Sequence, residues 1–540
     1  MRAAWWKNAL VYQIYPLSFC DDNGDGIGDL SGIITKLGYL KDLGVDVIWL
    51  SPIYQSPMDD NGYDISDYYA IDPVFGTMED FRRLLASAHS LGMRLIMDLV
   101  VNHTSDQHSW FQEARKSKDN PFRDYYVWRK MPTEIQSVFS GPAWEYDPLT
   151  EQYYFHLFSK KQPDLNWDNP VMRQEIYKMI NYWLDFGIDG FRLDVIDLIG
   201  KDIDNFRLCD GPYLDERLLE LKSNCFVGRD VMTVGETPCL SIERVRDVTR
   251  GETPLLDMVF QFGHLALDEI PSQGKWALKK LDLIELKRHF KSIQNGLENV
   301  GWNSLFWTNH DQPRAVSRYG DEAKRYECAT MLATSLYSMQ GTPYVYQGEE
   351  LGMTGIRFSK LSDYRDIETK NMVLEKSSQS WSIDKIMESI YAKGRDNSRT
   401  PMQWDDTIYA GFSLNKPWID VNPNHMEINA KKELADKNSV FSYFRNYFKL
   451  RKTNPLFMTG HFQLIFEDHP SLFCYLREGK EKTLLVICSF SNNWNSADFQ
   501  DIPKGKWLIT NISEIDLGAE TTFPPYFAGI YEYDTVKGTN

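Results

Sequence analysis

The sequence predicts an α/β fold built on a (β/α)8 TIM barrel, and three observations support this fold class. Short apolar runs recur along the chain, each followed by a loop and then by a segment with helical periodicity, as in parallel β/α units. After the third run comes a segment of about 65 residues that lacks this periodicity and is too long for an ordinary loop. Beyond about residue 460, apolar strands alternate without intervening helices, which predicts a C-terminal antiparallel β domain.

These changes of pattern divide the chain into three parts. Residues 1–103 and 169–460 form the barrel, residues 104–168 form a small domain inserted after the third strand, and residues 461–540 form the β domain. The predicted barrel strands are Leu10–Ile14, Val47–Leu50, Leu95–Val101, Gly190–Val195, Met232–Val234, Met258–Phe262, Ser304–Trp307 and Pro343–Tyr346. In the β domain the clearest predicted strands are Ser471–Leu476 and Thr483–Ser489.

Helix signals lie between the strands. Asn169 and Pro170 supply a cap and a first turn for an apolar stripe at the spacing of a helix face. Thr77, with Asp80 three residues on, forms a variant of the capping box that has Asp where Glu is usual. Gly92 then ends the helix that Thr77 begins.

Composition limits the function classes. The 540 residues include 59 Lys and Arg against 76 Asp and Glu, a formal net charge of −17, which argues against nucleic acid or an anionic membrane as a partner. We therefore expect a neutral or small substrate, no organic cofactor and a monomer. The chain has no run of eighteen apolar residues and no secretory signal pattern, so we expect a cytoplasmic protein.

The cysteines form no recognisable metal site. Seven are scattered along the chain, without CxxC pairs or Cys/His clusters. An odd number without ligand spacing is typical of neither a disulfide framework nor a zinc site. We therefore expect seven reduced core cysteines.

Carboxylates follow several of the apolar runs, at the strand ends where barrels of this kind carry their chemistry. Asp194 lies near the end of the fourth run, Glu236 follows the fifth and Asp311 follows the seventh. A single Asp at a strand end more often caps a helix or turns the chain. Three together fit acetal hydrolysis, which needs a general acid and, for retention, a carboxylate nucleophile about 5 Å away. Because the fourth and fifth strands are neighbours, Asp194 fits the nucleophile and Glu236 the acid/base.

Arg192 stands two residues before Asp194 and therefore points to the same side of its strand. Its charge should keep Asp194 ionised. Glu236 needs the opposite environment, burial near negative charge, so that it holds a proton to donate.

Several longer motifs resemble the α-amylase superfamily, glycoside hydrolase family 13, and within it the oligo-1,6-glucosidases and dextran glucosidases (glucan 1,6-α-glucosidases). The motifs are DLVVNH at 98–103, GFRLDVI at 190–196, VGE at 234–236, NHD at 309–311 and GTPYVYQGEE at 341–350. The resemblance runs over nearly the whole chain. It implies a retaining, exo-acting α-glucosidase that hydrolyses α-1,6 bonds at the non-reducing ends of isomaltooligosaccharides. In that reaction Asp194 would be the nucleophile, Glu236 the acid/base, and Asp311 the third carboxylate.

The resemblance also implies a set of substrate-binding residues. The subsite for the cleaved glucose would use Asp60, Tyr63, His103, Arg192, His310 and Arg395. Lys275 and Glu368 would line the leaving-group side. Taken alone, the two histidines could be ordinary core residues, Arg395 a helix-end ion pair, and Lys275 and Glu368 solvated surface charges.

Linkage preference is indicated by two features that are similar to those of the 1,6-cleaving branch. They are QPDLN at 162–166 and Val195, where 1,4-specific relatives tend to carry Ala. A difference on the scale of a methyl group is worth only about 1 to 3 kcal/mol, so it indicates a preference. The alternatives are a trehalose-6-phosphate hydrolase, similar to this chain around 309–322 and 363–368, and a sucrose isomerase or transglucosidase. A non-catalytic relative is disfavoured because all three acids are present.

A possible calcium loop follows the first strand. Asp21, Asn23, Asp25, Ile27 and Asp29 stand at the spacing of an oxygen-ligand loop, in which Ile27 would offer its carbonyl. The twelfth position is Gly32, so the loop is not an EF-hand, and an ordinary Asp/Asn/Gly turn has the same residues. The resemblance to glucosidases with calcium here favours a structural Ca²⁺.

Overall fold

The computed structural model describes residues 4–535; residues 1–3 and 536–540 of the predicted domains lie outside this range. The strands are β1 Val11–Ile14, β2 Val47–Leu50, β3 Tyr54–Gln55, β4 Asp67–Ile71, β5 Arg94–Leu99, β6 Trp128–Arg129, β7 Trp144–Asp147, β8 Gln152–Phe155, β9 Gly190–Leu193, β10 Met232–Glu236, β11 Met258–Phe260, β12 Ser304–Leu305, β13 Thr342–Tyr346, β14 His461–Ile465, β15 Leu472–Glu478, β16 Lys482–Ser489, β17 Asn495–Ala497, β18 Gly505–Thr510, β19 Thr521–Phe523 and β20 Ala528–Asp534. The helices are α1 Leu30–Leu43, α2 Met78–Ser90, α3 Ser109–Ala114, α4 Pro170–Phe186, α5 Leu214–Cys225, α6 Ile242–Thr249, α7 Leu283–Leu297, α8 Ala315–Tyr319, α9 Arg325–Tyr337, α10 Ile367–Ser378, α11 Ile383–Lys393, α12 Asp396–Arg399, α13 Ala430–Ala435, α14 Val440–Thr453 and α15 Leu456–Thr459.

Eight strands form a closed parallel barrel. Their order in the sheet is β11-β10-β9-β5-β2-β1-β13-β12, and a parallel bridge between Val259 and Asn303 joins the two ends of this order. Each strand overlaps one predicted apolar run, so the predicted fold class is confirmed. Trp49, Val234 and Phe260 belong to one buried cluster, as in barrels whose interior is filled by side chains.

The predicted helix starts are confirmed. The Asn169 side chain accepts hydrogen bonds from the first free N–H groups of α4, and Thr77 and Asp80 form a complete capping box at α2. The predicted stripe of α4 is buried against the barrel. Here local sequence chemistry places the helices directly.

The inserted segment forms a small sheet beside the carboxyl end of β5. Its strands pair in the antiparallel order β6-β8-β7. A bridge between His103 and Asp164 ties the end of the segment back to the barrel rim, and Lys201 contacts the Asp164 carboxylate at 2.6 Å. The insertion therefore forms one side of the rim.

The C-terminal strands form a five-stranded antiparallel sheet, β14-β15-β16-β20-β18, with β17 and β19 as a separate pair. The sheet is fixed to the barrel by Lys287 of α7, which is fully buried. Its ammonium group donates to the carbonyl oxygens of Phe466, His469 and Leu472.

A long segment after β13 carries helices α10, α11 and α12, which the sequence pattern did not predict. Trp276, Phe358, Tyr364 and Met372 help to form a separate apolar cluster beneath these helices. The cluster fixes a layer of chain over the barrel rim. Glu368 and Arg395 come from this layer.

The prediction that all seven cysteines are reduced is wrong for one pair. Cys209 and Cys239 form a disulfide across a sequence separation of 30 residues. Loops that follow two neighbouring strands, β9 and β10, bring them together, which no local pattern reveals. The other five cysteines are free and buried, as predicted. Among residues 4–535, no helix combines the length and the apolar character needed to cross a membrane.

Candidate active site

A cavity of about 550 Å³ opens at the carboxyl ends of the barrel strands and gathers most of the predicted site residues. Its lining includes Asp60, Tyr63, His103, Asp194, Glu236, Lys275, Asp311, Glu368 and Arg395. Arg192 and His310 are only 1% exposed and lie behind this lining. The structure therefore brings the predicted site residues together, with Arg192 and His310 packed behind the residues that line the cavity.

One guanidinium contacts both carboxylates of the predicted catalytic pair. Nη1 of Arg192 donates to Asp194 at 2.6 Å and to Asp98 at 2.7 Å, and Nη2 contacts Glu236. This sharing follows from strand register, because β9 pairs with β5 and β10 and places Arg192 opposite Asp98 and Val234. The two carboxylates are thus held close together, as double displacement requires at a separation of about 5 to 5.5 Å.

Burial and charge together set the protonation of this pair. Burial raises the pKa of Asp194 well above its usual value; Arg192 opposes this shift, and the charges of Glu236 and Asp98 add to it. Arg192 thus acts in the predicted direction and lowers the pKa of Asp194, although burial has the larger effect. The Glu236 charge is one cause of the raised pKa of Asp194, so the two carboxylates are linked electrostatically as well as through Arg192.

The Glu236 carboxylate is also held by a hydrogen bond from the backbone. Val195 has φ of 34°, a left-handed conformation that is rare for a β-branched residue. Its N–H donates to the Glu236 carboxylate at 3.1 Å. Such strain persists where the surrounding structure enforces it, commonly at functional sites.

Asp311 lies among positive charges. Its Oδ1 accepts from Arg399 at 2.7 Å and from Arg395 at 3.2 Å, and its Oδ2 lies 3.2 Å from Nε2 of His310. Burial acts to raise the pKa of Asp311, but His310, Arg395 and Arg399 outweigh it and hold the pKa well below its usual value. Asp311 is therefore an ionised carboxylate at the cavity surface, able to accept hydrogen bonds from hydroxyl groups.

A buried ion pair forms one wall of the cavity. Arg395 donates to Asp60 at 2.9 Å, and Asp366 accepts from the Nε of Arg395 at 2.8 Å. Behind Asp60, the amide of Gln162 donates to its carboxylate at 3.1 Å. Gln162 is the first residue of the QPDLN segment (162–166), which therefore supports the predicted glucose subsite.

His103 and Tyr63 complete this part of the lining. Burial lowers the pKa of His103 to about 4, so its imidazole is neutral near pH 7. The Tyr63 ring stacks on His310 with centroids 5.0 Å apart, and its hydroxyl donates to Asp98 at 2.9 Å. Flat rings beside polar groups suit a sugar.

Lys275 and Glu368 form an ion pair at 2.6 Å within the cavity lining. Their side chains are 24% and 11% exposed, so they are not the solvated surface charges that their sequence alone allowed. The Nε of Arg395 lies 3.4 Å from the same Glu368 carboxylate. This contact connects the predicted leaving-group side with the predicted glucose subsite.

The loop predicted to hold calcium is ordered by its own side chains. Asp21, Asn23 and Asp25 each accept a backbone N–H from two or three residues further on, and Asp29 caps α1. Within residues 4–535, the carboxylates of this loop do not converge as a ready-made acidic cluster. One oxygen of Asp21 and one of Asp29 each accept two hydrogen bonds. The oxygens that accept a single N–H retain lone pairs for a cation, so these donors are compatible with Ca²⁺.

Three residues were missed by sequence reasoning. Asp98 joins Arg192 to Tyr63, Asp366 joins Arg395 to Arg399, and Arg399 reaches Asp311. Asp98 opens the DLVVNH motif, so its motif was a usable signal. Asp366 and Arg399 are recognisable only from their contacts.

Comparison with known proteins is consistent with this geometry. Residues 13–460 match the model of the α-amylase family, described as alpha amylase, catalytic domain. The chain therefore belongs to the α-amylase family, and it is a glycoside hydrolase.

Individual relatives are similar over nearly their whole length. The chain is 51% identical to an oligo-1,6-glucosidase of Halalkalibacterium halodurans, across 98% of this chain and 99% of that protein. It is 47% identical to a trehalose-6-phosphate hydrolase of Bacillus subtilis, across 98% of each. Among solved structures, an isomaltulose synthase from Klebsiella superposes with a TM-score of 0.95 at 38% identity, covering 98% of this chain and 100% of that one.

Proposed function

We propose that the protein is an exo-acting α-glucosidase that hydrolyses α-1,6 bonds at the non-reducing ends of isomaltooligosaccharides, with retention of configuration. The observation that carries the proposal is the position of Asp194 and Glu236. Both contact one buried guanidinium and both line a cavity with the buried Asp60–Arg395 pair in its wall. A charged wall of this kind suits the hydroxyl groups of one terminal sugar.

The reaction runs in two displacements. The Asp194 carboxylate attacks the anomeric carbon while Glu236 gives its proton to the leaving oxygen, which forms a covalent glucosyl ester and frees the remaining sugar. Glu236, now ionised, takes a proton from water, and the water oxygen attacks the same carbon and releases Asp194. Because each step inverts the anomeric carbon, the product keeps the α configuration.

Asp311 assists both displacements without forming a bond to the substrate carbon. Its ionised carboxylate can accept hydrogen bonds from sugar hydroxyl groups. Arg395 and Arg399 fix the position of that carboxylate. Hydrogen bonds of this kind strengthen as the ring distorts towards the oxocarbenium-like transition state.

The cavity favours a neutral leaving group over a phosphorylated one. Its lining cations are Lys275 and Arg395, and each is already paired with a carboxylate, Lys275 with Glu368 and Arg395 with Asp60. Recognition of a sugar phosphate calls for cationic groups that can bind its oxygens. This arrangement supports the glucosidase over the trehalose-6-phosphate hydrolase.

Product analysis tests the proposal. Isomaltose, panose, maltose, sucrose and trehalose 6-phosphate are supplied in parallel, and the products and their anomeric form are resolved over time, with Asp194→Asn as the control. We expect α-glucose to be released fastest from isomaltose and panose and to disappear in the variant. Cleavage confined to trehalose 6-phosphate would contradict the proposed substrate class, and isomerised sucrose would indicate a transglucosidase. If none of these sugars is turned over, the proposed reaction itself is contradicted.

We further propose that the Asp21–Asp29 loop binds a structural Ca²⁺ through Asp21, Asn23, Asp25, Asp29 and the Ile27 carbonyl. The bound ion would stabilise the loop after β1 without entering the reaction. Removal of Ca²⁺ with a chelator should lower the Tm, and added Ca²⁺ should restore it. An Asp25→Ala variant whose Tm changes neither with the chelator nor with added Ca²⁺, beside a responsive wild type, would support the site. An equal response in the variant and the wild type would contradict it.

We also propose that the enzyme acts in the cytoplasm as a monomer. Five of the seven cysteines are free and buried, which fits a reducing compartment and supports the location. Cell fractionation and sedimentation velocity test the two statements separately.

A further inference from the structure

The disulfide lies on the rim of the candidate active site. Cys239 follows Glu236 by three residues, and Cys209 comes from the loop after β9, the strand that precedes Asp194. Cys209 is half-buried, Cys239 is exposed, and both line the cavity that contains Glu236. A reductant can therefore reach this bond, whereas the five other cysteines are buried.

A buried carboxylate stands directly beneath the two sulfurs. Asp197 has no exposed surface. Its Oδ2 accepts the backbone N–H of Cys239 at 3.1 Å and lies 3.5 Å from the sulfur of Cys209. Its Oδ1 has no hydrogen-bond partner among the described residues. A buried carboxylate oxygen without a partner is costly and calls for an explanation.

These three side chains have the composition and spacing of a metal site. One ligand atom from each of Asp197, Cys209 and Cys239 lies within 4.8 Å of the other two, and no other such group of three occurs within residues 4–535. Zn²⁺ binds thiolate sulfur at about 2.3 Å and carboxylate oxygen at about 2.0 to 2.2 Å, with a tetrahedral preference. Three protein ligands leave a fourth position for water.

We propose that Asp197, Cys209 and Cys239 form a binding site for a thiophilic divalent cation such as Zn²⁺, which becomes available when the disulfide is reduced and slows catalysis when occupied. The proposal goes beyond the hydrolase activity, because metal binding is measured without any substrate. It assigns a second function to two cysteines that the hydrolytic steps do not use.

The chemistry balances with a named reductant. A water-soluble phosphine attacks the disulfide, takes up the oxygen of one water molecule to become its oxide, and leaves two thiols that carry the two protons of that water. When Zn²⁺ binds, the thiols lose these two protons to solvent and coordinate as thiolates. The Cα atoms of the two cysteines are 6.1 Å apart, so the sulfurs can separate by side-chain rotation.

Occupation should affect catalysis because the site lies on the wall of the reaction cavity. Cys209 and Cys239 line the same cavity as Glu236, and Cys239 follows Glu236 by three residues. A divalent cation with its bound water at this rim would occupy part of the space that the leaving sugar needs beside Glu236. We expect kcat/KM to fall by about tenfold or more, which corresponds to about 1.4 kcal/mol of lost transition-state binding.

The experiment uses the full-length protein in Ca²⁺-containing buffer, before and after reduction by the phosphine, with mass spectrometry to verify the redox state. Isothermal titration with ZnCl₂ counts the ions bound, and kcat/KM for isomaltose is measured with and without Zn²⁺. Cys239→Ser and Asp197→Asn remove one ligand each. Cys225→Ser removes a buried cysteine outside the cavity and serves as the matched control.

We expect one Zn²⁺ to bind to the reduced wild type and to reduced Cys225→Ser, and to bind at least about tenfold more weakly to the oxidised protein and to both ligand variants. A zinc-selective chelator should restore activity. Equal affinity in reduced wild type and Cys239→Ser would overturn the site. Tight binding without loss of activity would overturn its effect on catalysis.

Discussion

Asp98 connects the predicted nucleophile with the sugar-binding wall, and its replacement by Asn should damage both. Oδ1 of Asp98 accepts from Arg192 at 2.7 Å, and Oδ2 accepts from Tyr63 at 2.9 Å and from Trp49 at 3.2 Å. All three partners are donors. An Asn side chain offers one oxygen, so its NH₂ group must face at least one of these donors without a bond.

The size of the effect follows from burial. Asp98 and Arg192 are each 1% exposed, and breaking a buried ion pair costs about 3 to 5 kcal/mol. We expect Asp98→Asn to lower the free energy of unfolding by about 3 kcal/mol. If Arg192 and Tyr63 shift, kcat/KM should fall about a hundredfold, since each factor of ten corresponds to about 1.4 kcal/mol.

Urea denaturation and steady-state kinetics on isomaltose measure the two effects. Tyr63→Phe is the matched control, because it removes a single hydrogen bond to Asp98 and leaves the Arg192 pair intact; about 1.5 to 3 kcal/mol is expected for it. A loss below about 1 kcal/mol in Asp98→Asn, with kcat/KM close to that of the wild type, would refute the role assigned to Asp98.

Three further perturbations test other parts of the structure. Lys287→Met should cost about 3 kcal/mol by urea denaturation, because it leaves three carbonyl oxygens, one of them buried, without their donor. Lys291→Met on the same helix removes only a solvent-exposed pair with Glu467 and should change little; equal losses would contradict the role of Lys287 as the anchor. Asn169→Ala should cost about 1 kcal/mol through loss of the α4 cap, and an unchanged urea midpoint would contradict it. Burial lowers the pKa of His264 to about 3. Between pH 6.5 and about pH 3, His264 is therefore protonated in the unfolded chain but neutral in the folded protein. The free energy of unfolding falls over this range as the pH is lowered. Between pH 7 and pH 5 this loss is about 2 kcal/mol. His264→Gln, which can still donate to the Phe306 carbonyl, should reduce the change of the free energy of unfolding with pH. An identical pH dependence in the variant would exclude His264 as its source.

Much of the barrel was determined by local sequence. Apolar runs and helix periodicity predict the eight barrel strands and α4, because the spacing of apolar residues over a few positions shows which short segments are buried. The caps at Asn169 and Thr77 are equally local. The carboxylates at 194, 236 and 311 could be predicted together because parallel strands place their carboxyl ends at one rim.

Only the tertiary structure determined the charge environment and the partners of those carboxylates. Arg192 was predicted to contact Asp194, but its contacts with Asp98 and Glu236 depend on the register between β9 and its two neighbours. Arg395 enters from the segment after β13, and Cys209 meets Cys239 across two loops. Contacts between residues far apart in the chain depend on packing and strand register. The sequence immediately around each of these residues does not specify either. The sequence thus predicted most of the groups that line the site, and the fold determined their charge environment and partners.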